Sequence, residues 1–355
     1  MPKPSERTGV PSATELLPME ARLVDALPEE GEWQFEPKWD GFRCLVLRHG
    51  ALLELRAKSG KPLARYFPEI ATAFAAFKAA RFILDGELII PVGADLSFDA
   101  LQLRLHPAAS RVRMLARETP ALFMAFDLLA DGRRDLMQRP LRERRAALEA
   151  FYRRERRPSV MRVSPYARDV STARQWLAKA GGALDGVVAK RLDGQYVPGE
   201  RVMLKVKCLR TADCVVGGFR YAEGSREVGS MLLGLYNGEG ELDHVGFTAA
   251  ISQRARPALT KRLEELRGGP GFTGAAPGGP SRWSNERSGQ WEPLKTKLVA
   301  EVRYDQVTGR RFRHGTRFLR WRPDKTPRQC TFAQLQQEAR PAEVLAAIIG
   351  RAARN

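Results

Sequence analysis

The sequence has few cysteines, and their positions exclude two classes of protein. Its 355 residues include only four, at Cys44, Cys208, Cys214 and Cys330. They lie far apart and form no C-x-x-C pair, which argues against both a zinc ribbon and a disulfide framework. We therefore expect four reduced thiols in apolar cores.

Export signals and membrane segments are also lacking. The opening stretch, MPKPSERTGVPSATELLP, is polar and interrupted by proline, so it does not have the apolar centre of a signal peptide. No later run approaches the roughly 20 apolar residues that a membrane-spanning helix needs. We expect a soluble, intracellular protein with no membrane partner.

What the sequence does have is a large excess of positive charge. The 59 Lys and Arg residues outnumber the 41 Asp and Glu residues, which gives a formal net charge of +18. Such a surface attracts polyphosphates because binding releases condensed counterions. Nucleic acid is therefore the expected partner. The alternative is that a GC-rich genome favours arginine and raises the charge without any ligand.

The spacing of apolar residues predicts an α+β fold with two domains that meet near residues 209–211. Before that point strand patterns occupy 35–55, 82–90, 121–129, 184–189 and 202–207, and amphipathic helical patterns occupy 66–80, 141–156 and 172–180. Beyond it, short strands interrupted by glycines occupy 214–219, 230–236, 243–248, 298–307 and 317–322, with a helical stretch at 254–267 and a low-complexity loop at 268–281. We expect a mixed-sheet domain over 1–209 and a small β-barrel domain over 210–355 that ends in a helical tail.

Asp-Gly pairs recur beside the apolar strands, each with charged neighbours. They occur in Lys38-Trp39-Asp40-Gly41, Asp85-Gly86-Glu87 and Asp185-Gly186-Val187-Val188-Ala189-Lys190. Any one pair is also a typical two-residue hairpin turn, and that interpretation stays open for each motif alone. Lys205 and Lys207 would share one face if their segment is a strand. The repetition favours a common site.

In this order the motifs resemble those of the covalent nucleotidyltransferase superfamily, most closely the compact bacterial ATP-dependent DNA ligases of the LigC type. The resemblance covers about residues 16–325 and includes Lys58-Ser59-Gly60-Lys61, Phe126-Asp127, Lys205-Val206-Lys207 and Arg320-Trp321-Arg322-Pro323-Asp324-Lys325. Two positions depart from the common pattern: Lys58 stands where members commonly have arginine, and Asp185 where many have glutamate. The resemblance implies a nucleotidyltransferase (ATP-grasp-like adenylation) domain followed by an OB-fold domain.

The resemblance also implies a reaction with ATP and nicked duplex DNA. The amine of Lys38 would attack the α-phosphate of ATP and release pyrophosphate. The AMP would pass to the 5′-phosphate of a nick, and the adjoining 3′-hydroxyl would displace it and seal the strand. Only a neutral amine can attack, and a lysine with the reference pKa of about 10.4 is almost wholly protonated at pH 7. Neighbouring cations such as Lys205 and Lys207 would disfavour that protonated form.

Further site residues are implied by the same resemblance. Mg²⁺, or Mn²⁺ in its place, would be held by Asp40, Glu87 and Asp185. The nucleotide would be held by Glu36, Arg43, Lys58, Glu87, Phe126, Lys205, Lys207, Arg320, Arg322 and Lys325. Within that set, Phe126 would stack on adenine, Arg43 and Glu87 would hold the ribose, and the backbone near Glu36 would meet the base edge. The last three basic residues would close over the nucleotide and orient its β- and γ-phosphates.

DNA phosphates are expected to contact the basic run Arg310, Arg311 and Arg313. An enzyme of this kind would act as a monomer in the cytoplasm, associated with the nucleoid, and would meet a DNA end-binding or repair protein there. His314 is not expected to bind a metal, because no second His or Cys stands nearby at ligand spacing.

Other interpretations stay open at this stage. Phe126 could be an ordinary core residue, since its segment is apolar throughout, and the arginine run could be a solvated turn. RNA capping guanylyltransferases and RNA ligases share the lysine motif, and a non-catalytic basic binding protein is a further alternative. NAD-dependent DNA ligases are a weaker one, because they carry a cysteine-ligated zinc module.

Overall fold

The structure is a computed structural model that describes residues 16–92, 95–155, 159–179, 184–278 and 290–335. These residues divide into two compact units, the first ending at Cys208 and the second beginning at Leu209. All four cysteines are free and buried. Within the described ranges no helix is long and apolar enough to cross a membrane. The helical tail expected at the C-terminus falls in 336–355, outside the described residues.

The first unit contains twelve strands and five α-helices among its described residues. The strands are β1 (Ala21–Leu23), β2 (Trp33–Trp39), β3 (Phe42–His49), β4 (Leu52–Ala57), β5 (Arg81–Ile89), β6 (Pro91–Val92), β7 (Asp95–Leu96), β8 (Leu122–Asp131), β9 (Arg134–Asp135), β10 (Met161–Val163), β11 (Leu184–Arg191) and β12 (Met203–Lys207). The helices are α1 (Pro68–Ala75), α2 (Phe98–Arg104), α3 (Ala109–Glu118), α4 (Leu141–Arg154) and α5 (Val170–Lys179).

Two main sheets organise this unit. The smaller has the order β1-β12-β11-β2, in which only the β1-β12 pair is parallel. The larger has the order β10-β8-β5-β3-β4, with β9 added to β8, and only its β10-β8 pair is parallel. The Asp40-Gly41 turn joins β2 to β3, which belong to different sheets. The first motif therefore lies where the chain passes from one sheet to the other.

Both faces of the larger sheet are buried, which explains why its strands read as almost continuous apolar runs. On β3, Cys44 and Val46 face a core that contains Phe74 of α1 and Phe151 of α4. Leu45, between them, faces the opposite way, toward a second core that includes Met203 of β12. Alternation of side chains along the strand thus supplies two cores at once. Fully burying an aromatic or aliphatic side chain stabilises the fold by about 1.5–3 kcal/mol.

The smaller sheet has one face covered by α5. Val187, Ala189, Leu204 and Val206 pack there with Ala173 and Phe35. The residues between them in sequence, among them Val188, Lys190 and Lys205, point the other way because successive side chains alternate across a strand. That second face carries the charged residues of the site.

Several predicted elements are confirmed, and others needed correction. The strand pattern at 35–55 is broken into β2, β3 and β4, and the helix expected over 66–80 is only Pro68–Ala75. Helices α2 and α3 were not predicted. Their short amphipathic stretches carry arginines and other polar residues. One sequence signal for α2 was present: Ser97 is its N-cap, and the Ser97 Oγ accepts a hydrogen bond from the Ala100 N–H at 3.1 Å.

Of the three Asp-Gly pairs in the site motifs, two lie inside strands and the third joins strands of different sheets, so the hairpin-turn interpretation is wrong for all three. Asp85-Gly86 is in β5 and Asp185-Gly186 is in β11, and the pairing register shifts at both. A Cβ on Gly86 would lie 2.4 Å from the Phe123 ring, and one on Gly186 would lie 2.0 Å from the Val206 carbonyl oxygen. The glycines are required because neighbouring atoms approach the backbone closely at these bulges.

The second unit is rich in strands. They are β13 (Arg210–Tyr221), β14 (Val228–Tyr236), β15 (Leu242–Thr248), β16 (Glu292–Pro293), β17 (Val299–Tyr304), β18 (Val307–Thr308), β19 (Arg311–Phe312) and β20 (Arg317–Trp321), with one α-helix, α6 (Arg256–Glu264), in its described part. The main sheet runs β15-β14-β13-β17-β20 in antiparallel pairs, with β16 on β13. The α+β class is thereby confirmed.

The expected barrel is not closed by continuous hydrogen-bonded pairing. Its two edge strands, β15 and β20, approach each other through an isolated parallel bridge between Thr248 and Thr316. Thr316 N–H donates to the Phe247 carbonyl oxygen at 3.0 Å, and Phe318 N–H donates to Thr248 Oγ1 at 3.2 Å. The sheet therefore curves as an OB-fold does, with a narrow contact at the seam.

We expect Gly86→Ala to lower the free energy of unfolding by about 1–3 kcal/mol or more, because the added methyl group would overlap the Phe123 ring in a packed core. Thermal unfolding followed by circular dichroism measures the change. Gly238→Ala is the matched control, since nothing lies within 4 Å of a Cβ added there. Equal melting temperatures for the two variants would contradict this account of Gly86.

Candidate functional site

A pocket of the first unit opens on the face of the smaller sheet opposite α5. Its lining brings together seven residues singled out from the sequence: Glu36, Lys38, Arg43, Lys58, Glu87, Phe126 and Lys205. Pro18, Met19, Glu20, Ala21, Val188, Lys190 and Met203 also contribute. The sequence motifs therefore converge on one cavity, although Lys38 and Lys205 are 167 residues apart in the sequence.

The register of β11 places the lysines in rows. Gly186 lies opposite Lys38 on one side and Lys207 on the other, and Val188 lies opposite both Glu36 and Lys205. Because facing residues of neighbouring strands share a face, the row at Gly186 carries two amines and the row at Val188 carries a carboxylate and an amine. Lys207 thus accompanies Lys205 on one face, as predicted.

Lys38 forms an ion pair with Asp185 in this structure. Its Nζ donates to Asp185 Oδ2, and the carboxylate is largely buried while the amine is partly exposed. The pair therefore holds the Lys38 amine in place beside the carboxylate.

Other cations surround this pair. The pKa of Lys205 is lowered, mainly because burial disfavours its charge and also because Lys38, Lys207 and Lys58 lie near. Lys58 donates to Glu20 at 2.9 Å, and its own side chain is 59% exposed, so it can move toward solvent or toward a ligand. A cluster of amines that repel one another is a favourable site for a polyphosphate.

Arg43 is held rigidly at the opposite wall. Its Nε and Nη2 donate to the two carboxylate oxygens of Asp85 at 2.6 Å each, a bidentate arrangement that fixes the guanidinium plane. The guanidinium carbon lies 4.5 Å from the centre of the Phe126 ring. Phe126 is only 9% exposed, yet it lines the pocket. It is therefore both a core residue and part of the cavity wall.

Glu36 is the acidic residue at the base of the pocket. Its carboxylate accepts from Gln34 Nε2 at 2.7 Å and from Lys190 Nζ at 2.9 Å, and both members of the Glu36–Lys190 pair are buried. Lys190 Nζ also lies 4.7 Å from the Phe126 ring centre. A buried charge pair with these extra contacts fixes the geometry around the ring.

Glu87 has an unusual acidity. Burial raises the pKa of its carboxyl from the ordinary 4.5 to about 7, and the nearby charges of Asp40 and Asp85 add to that rise, while Arg43 and Lys38 oppose it. Raised carboxyl pKa values of this size are common at functional sites. About half of the Glu87 side chains would be protonated near neutral pH.

The three carboxylates expected to bind a metal do not form a preassembled cluster. Among the described residues, no group of three or more His, Cys, Asp and Glu side chains is placed to hold an ion. Asp185 is engaged by Lys38, while Glu87 and Asp40 interact through their charges. This donor set suits Mg²⁺ only where substrate phosphates and water supply further oxygens, which is how Mg²⁺ is usually bound.

The basic residues of the C-terminal motif are all paired within the second unit. Arg322 donates to Asp213 at 2.9 and 3.1 Å and to Asp324 at 2.7–3.2 Å. Lys325 also contacts Asp213, and Arg320 donates to Glu301 at 2.7 Å. Three cations and three carboxylates thus form a locally neutral cluster.

The expected DNA-contacting arginines lie around the β18–β19 hairpin. Arg310 is exposed and contacts Asp243 at 3.1 Å, Arg311 contacts His244, and Arg313 donates to Gln306 at 2.8 Å. His314 contacts Asp305 at 2.9 Å. The run is thus an exposed turn whose charges are partly paired, which fits both the phosphate-contact and the solvated-turn interpretations.

Sequence reasoning missed several residues that shape the pocket. Lys190 was part of a quoted motif but was assigned no role, and its pairing with Glu36 was not predicted. Met19 and Glu20 lie upstream of the first motif, where the only sequence signal is a short apolar and acidic stretch. Tyr196 is buried behind the pocket, and nothing in its local sequence marks it.

Comparison with known proteins gives a consistent result. The model of the ATP dependent DNA ligase domain matches residues 18–207, and the model of the ATP dependent DNA ligase C terminal region matches residues 224–325. DNA ligase C1 of Mycolicibacterium smegmatis is 46% identical over 329 residues, which cover 90% of this chain and 93% of that protein.

More distant similarities extend this picture. The multifunctional non-homologous end joining DNA repair protein LigD of Mycobacterium tuberculosis is 28% identical over 319 residues, which cover 88% of this chain but 37% of LigD. A solved structure of a Lig E DNA ligase, reported as DNA binding with a minimal scaffold, has a TM-score of 0.55 at 17% identity and covers 86% of this chain and 100% of its own. That last similarity concerns the fold alone.

We expect Glu87→Gln to stabilise the ligand-free protein relative to the parent, and to do so more at pH 8 than at pH 5. The folded pKa of about 7 exceeds the ordinary 4.5, so the parent gains stability from the bound proton at low pH and loses it as pH rises through 7. Glutamine has no charge to bury. The variant-minus-parent difference in free energy of unfolding should therefore rise by about 1–3 kcal/mol between pH 5 and pH 8.

Urea unfolding at the two pH values measures this difference. Glu143→Gln is the control, because it makes the same chemical change at an exposed position of the first unit. A pH-independent difference for Glu87→Gln would show that burial does not penalise its charge.

Proposed function

This chain belongs to the family of ATP-dependent DNA ligases, and we propose that it seals nicks between 3′-hydroxyl and 5′-phosphate ends through AMP attached to Lys38. The observation that carries this assignment of the nucleophile is the position of Lys38. It stands in a pocket whose other cations are Lys58, Arg43, Lys190 and Lys205. A triphosphate is the substrate class that such a pocket favours.

In the proposed first step the Lys38 nitrogen forms a bond to the α-phosphorus of ATP, and the bond from that phosphorus to the pyrophosphate oxygen breaks. The amine must first lose its proton and leave Asp185. Lys205 and Lys207 favour this loss, because positive charges nearby raise the cost of a protonated Lys38. Arrival of a polyphosphate would give these cations a new partner and would weaken the hold of Asp185.

ATP would be held by residues on both walls of the pocket. The exposed edge of Phe126 offers an apolar surface to adenine, and the backbone at Glu36 offers hydrogen-bonding groups to the base edge. Arg43 and Glu87 lie where the ribose would follow. Lys58 and Lys205 would contact the phosphates. Lys58 keeps the positive charge of the arginine that family members commonly have at this position, but it cannot make the two-point contact of a guanidinium.

We propose Mg²⁺ as the metal, with Mn²⁺ able to replace it. A divalent cation bound with the phosphates would neutralise charge that develops on the leaving pyrophosphate. Asp40, Glu87 and Asp185 are the residues that would hold it. Of these, Glu87 must be ionised to take part, and Asp185 must be released from Lys38.

The C-terminal motif would serve the adenylation step. Arg320, Arg322 and Lys325 carry charges that suit the β- and γ-phosphates, and each is paired with a carboxylate that a phosphate could replace. The exchange of one anion for another would make their contribution depend on the presence of pyrophosphate. Glu87, Lys205 and Lys207, in contrast, would surround the α-phosphate in every step.

Nicked duplex DNA would be the second substrate, and DNA repair or end joining the setting. The high positive charge supports binding to DNA, and the similarity to LigD, a protein named for end joining and DNA repair, supports the setting. We further propose that the protein acts as a monomer at the nucleoid, together with a DNA end-binding or repair protein.

We expect Lys38→Ala to abolish formation of the protein–AMP adduct, because the attacking nitrogen is lost. Lys38→Arg should fail as well, since a guanidinium stays protonated in proteins. Incubation with ATP labelled at the α-phosphate, followed by denaturing electrophoresis, measures the adduct. Lys261→Ala, in helix α6 of the second unit, is the control and should label like the parent.

The same assay distinguishes the substrates. Label should appear with ATP and not with GTP, and it should leave the protein when nicked duplex DNA is added but not when nicked RNA is added. A labelled Lys38→Ala variant would refute the assignment of the nucleophile. Labelling with GTP, or discharge by RNA, would favour the capping-enzyme or RNA-ligase alternatives.

We expect nick affinity to fall steeply with salt, with a slope of log affinity on log salt of roughly −0.9 for each phosphate neutralised. Replacing Arg310 and Arg311 by alanine should reduce that slope by about one for each lost contact. The control replaces Arg133 and Arg134, an exposed pair in the first unit, and so removes the same charge elsewhere. Fluorescence anisotropy at several KCl concentrations measures the slopes, and identical slopes for both double variants would refute the assigned role of the β18–β19 arginines.

A further inference from the structure

A closed ring of hydrogen bonds joins four residues at one wall of the pocket. Arg43 donates to both oxygens of Asp85, and its Nη2 also donates to the Met19 carbonyl oxygen at 3.1 Å. The Tyr196 hydroxyl completes the ring, because it accepts from the Met19 N–H at 2.9 Å and donates to Asp85 Oδ2 at 2.7 Å. Every member is thus held by two others.

Three of the four members of the ring are almost completely shielded from water. Asp85 is 0%, Tyr196 2% and Met19 4% exposed. Polar groups in such surroundings interact strongly, and each one left unpaired is costly. Burial and the neighbouring Asp85 raise the pKa of the Tyr196 hydroxyl well above its ordinary value. The hydroxyl therefore keeps its proton and remains a donor to Asp85.

Two members of the ring face the cavity, and Tyr196 is attached to them from behind. Arg43 and Met19 line the pocket, and the Arg43 guanidinium lies over the Phe126 ring. Glu20, next to Met19, accepts a hydrogen bond from Lys58 Nζ with its carboxylate. The orientation of this wall, from the Phe126 side chain to the Lys58 amine, thus depends on how Met19 and Glu20 are held.

Tyr196 hydrogen-bonds residues that are far from it in the sequence. Its own backbone is fixed, since its N–H donates to the Met137 carbonyl oxygen at 2.9 Å. It is 177 residues from Met19 and 111 from Asp85 along the chain. A single hydroxyl therefore connects the segment before β1 to the centre of the larger sheet.

We propose that Tyr196 is a positioning residue for ATP, because its hydroxyl holds the Met19 backbone and Asp85, the partner of the Arg43 guanidinium, in the orientation that receives the nucleoside. This inference rests on the proposed adenylation of Lys38. Tyr196 does not touch the reacting atoms. Its loss should weaken ATP binding and leave the attack by Lys38 nearly unchanged.

The test is Tyr196→Phe, which removes the hydroxyl and keeps the ring. Without it Asp85 loses one of its donors and the buried Met19 N–H loses its acceptor, so the carboxylate and the backbone that orient Arg43 are held less firmly. We expect the ATP concentration that half-saturates single-turnover adenylation to rise about 5- to 20-fold, with the maximal rate changed by less than about twofold. Tyr221→Phe is the matched control, because it removes a tyrosine–carboxylate hydrogen bond, to Glu264, in the second unit.

A double-mutant cycle with Arg43→Ala separates positioning from general loss of structure. If Tyr196 acts through Arg43, then adding Tyr196→Phe to Arg43→Ala should change half-saturation by less than about twofold. Effects of the two substitutions that simply multiply would overturn the proposal. So would a lower melting temperature of Tyr196→Phe with unchanged half-saturation, which is the result of a purely structural role.

The parent protein distinguishes this inference from the assignment on which it rests. If the parent takes no label from ATP, the proposed function itself fails and the role of Tyr196 fails with it. If the parent is labelled at Lys38 and Tyr196→Phe saturates at the same ATP concentration as the parent, only the role of Tyr196 is refuted.

Discussion

The pairing of β11 with β2 and β12 is the constraint on which the site depends. This register sets Lys38 and Lys207 on either side of Gly186, and Glu36 and Lys205 on either side of Val188. A shift of β11 by one residue would turn Val188 and Lys190 toward α5 and would bring Val187 and Ala189 to the face of the site in their place. Burial of the apolar face against α5 therefore fixes the chemistry of the opposite face. The bulge at Asp185-Gly186 lies within this same register and brings the Asp185 carboxylate to Lys38.

Much of the site could be predicted from the sequence, because its ligand-facing residues occur in short ordered motifs. Lys38, Glu87 and Lys205 were identified in this way, and the structure brings them into one pocket. Their supporting residues could not be identified. Tyr196 and Met19 act through hydrogen bonds between distant segments, and no local pattern encodes such a bond. Lys58 and Asp185, the two departures from the family pattern, keep the charges of the residues they replace, and both lie at the site.

The fold was predictable to a similar degree and for related reasons. Long apolar runs such as β5 and β8 were found because both of their faces are buried. The Asp-Gly pairs were ambiguous, because the same dipeptide suits a turn and a bulge, and only the close approach of Phe123 or Val206 decides between them. Helices α2 and α3 escaped detection because they are short and bury few residues each, so tertiary contacts and not periodicity determine them.

A final consequence concerns how a strongly basic protein stays selective among polyanions. Most of the cations assigned to the reaction have a carboxylate partner in this ligand-free structure: Lys38 has Asp185, Arg43 has Asp85, Lys58 has Glu20, and Arg322 has Asp213 and Asp324. Under the proposed function, a phosphate that enters would displace these carboxylates, so its binding free energy would be a difference between two ionic contacts. Any isolated phosphate gains little by such an exchange. A nucleoside triphosphate gains more, because its base and ribose bind as its phosphates exchange. The paired carboxylates thus reduce attraction to unspecific polyanions while the remaining surface keeps its general affinity for DNA.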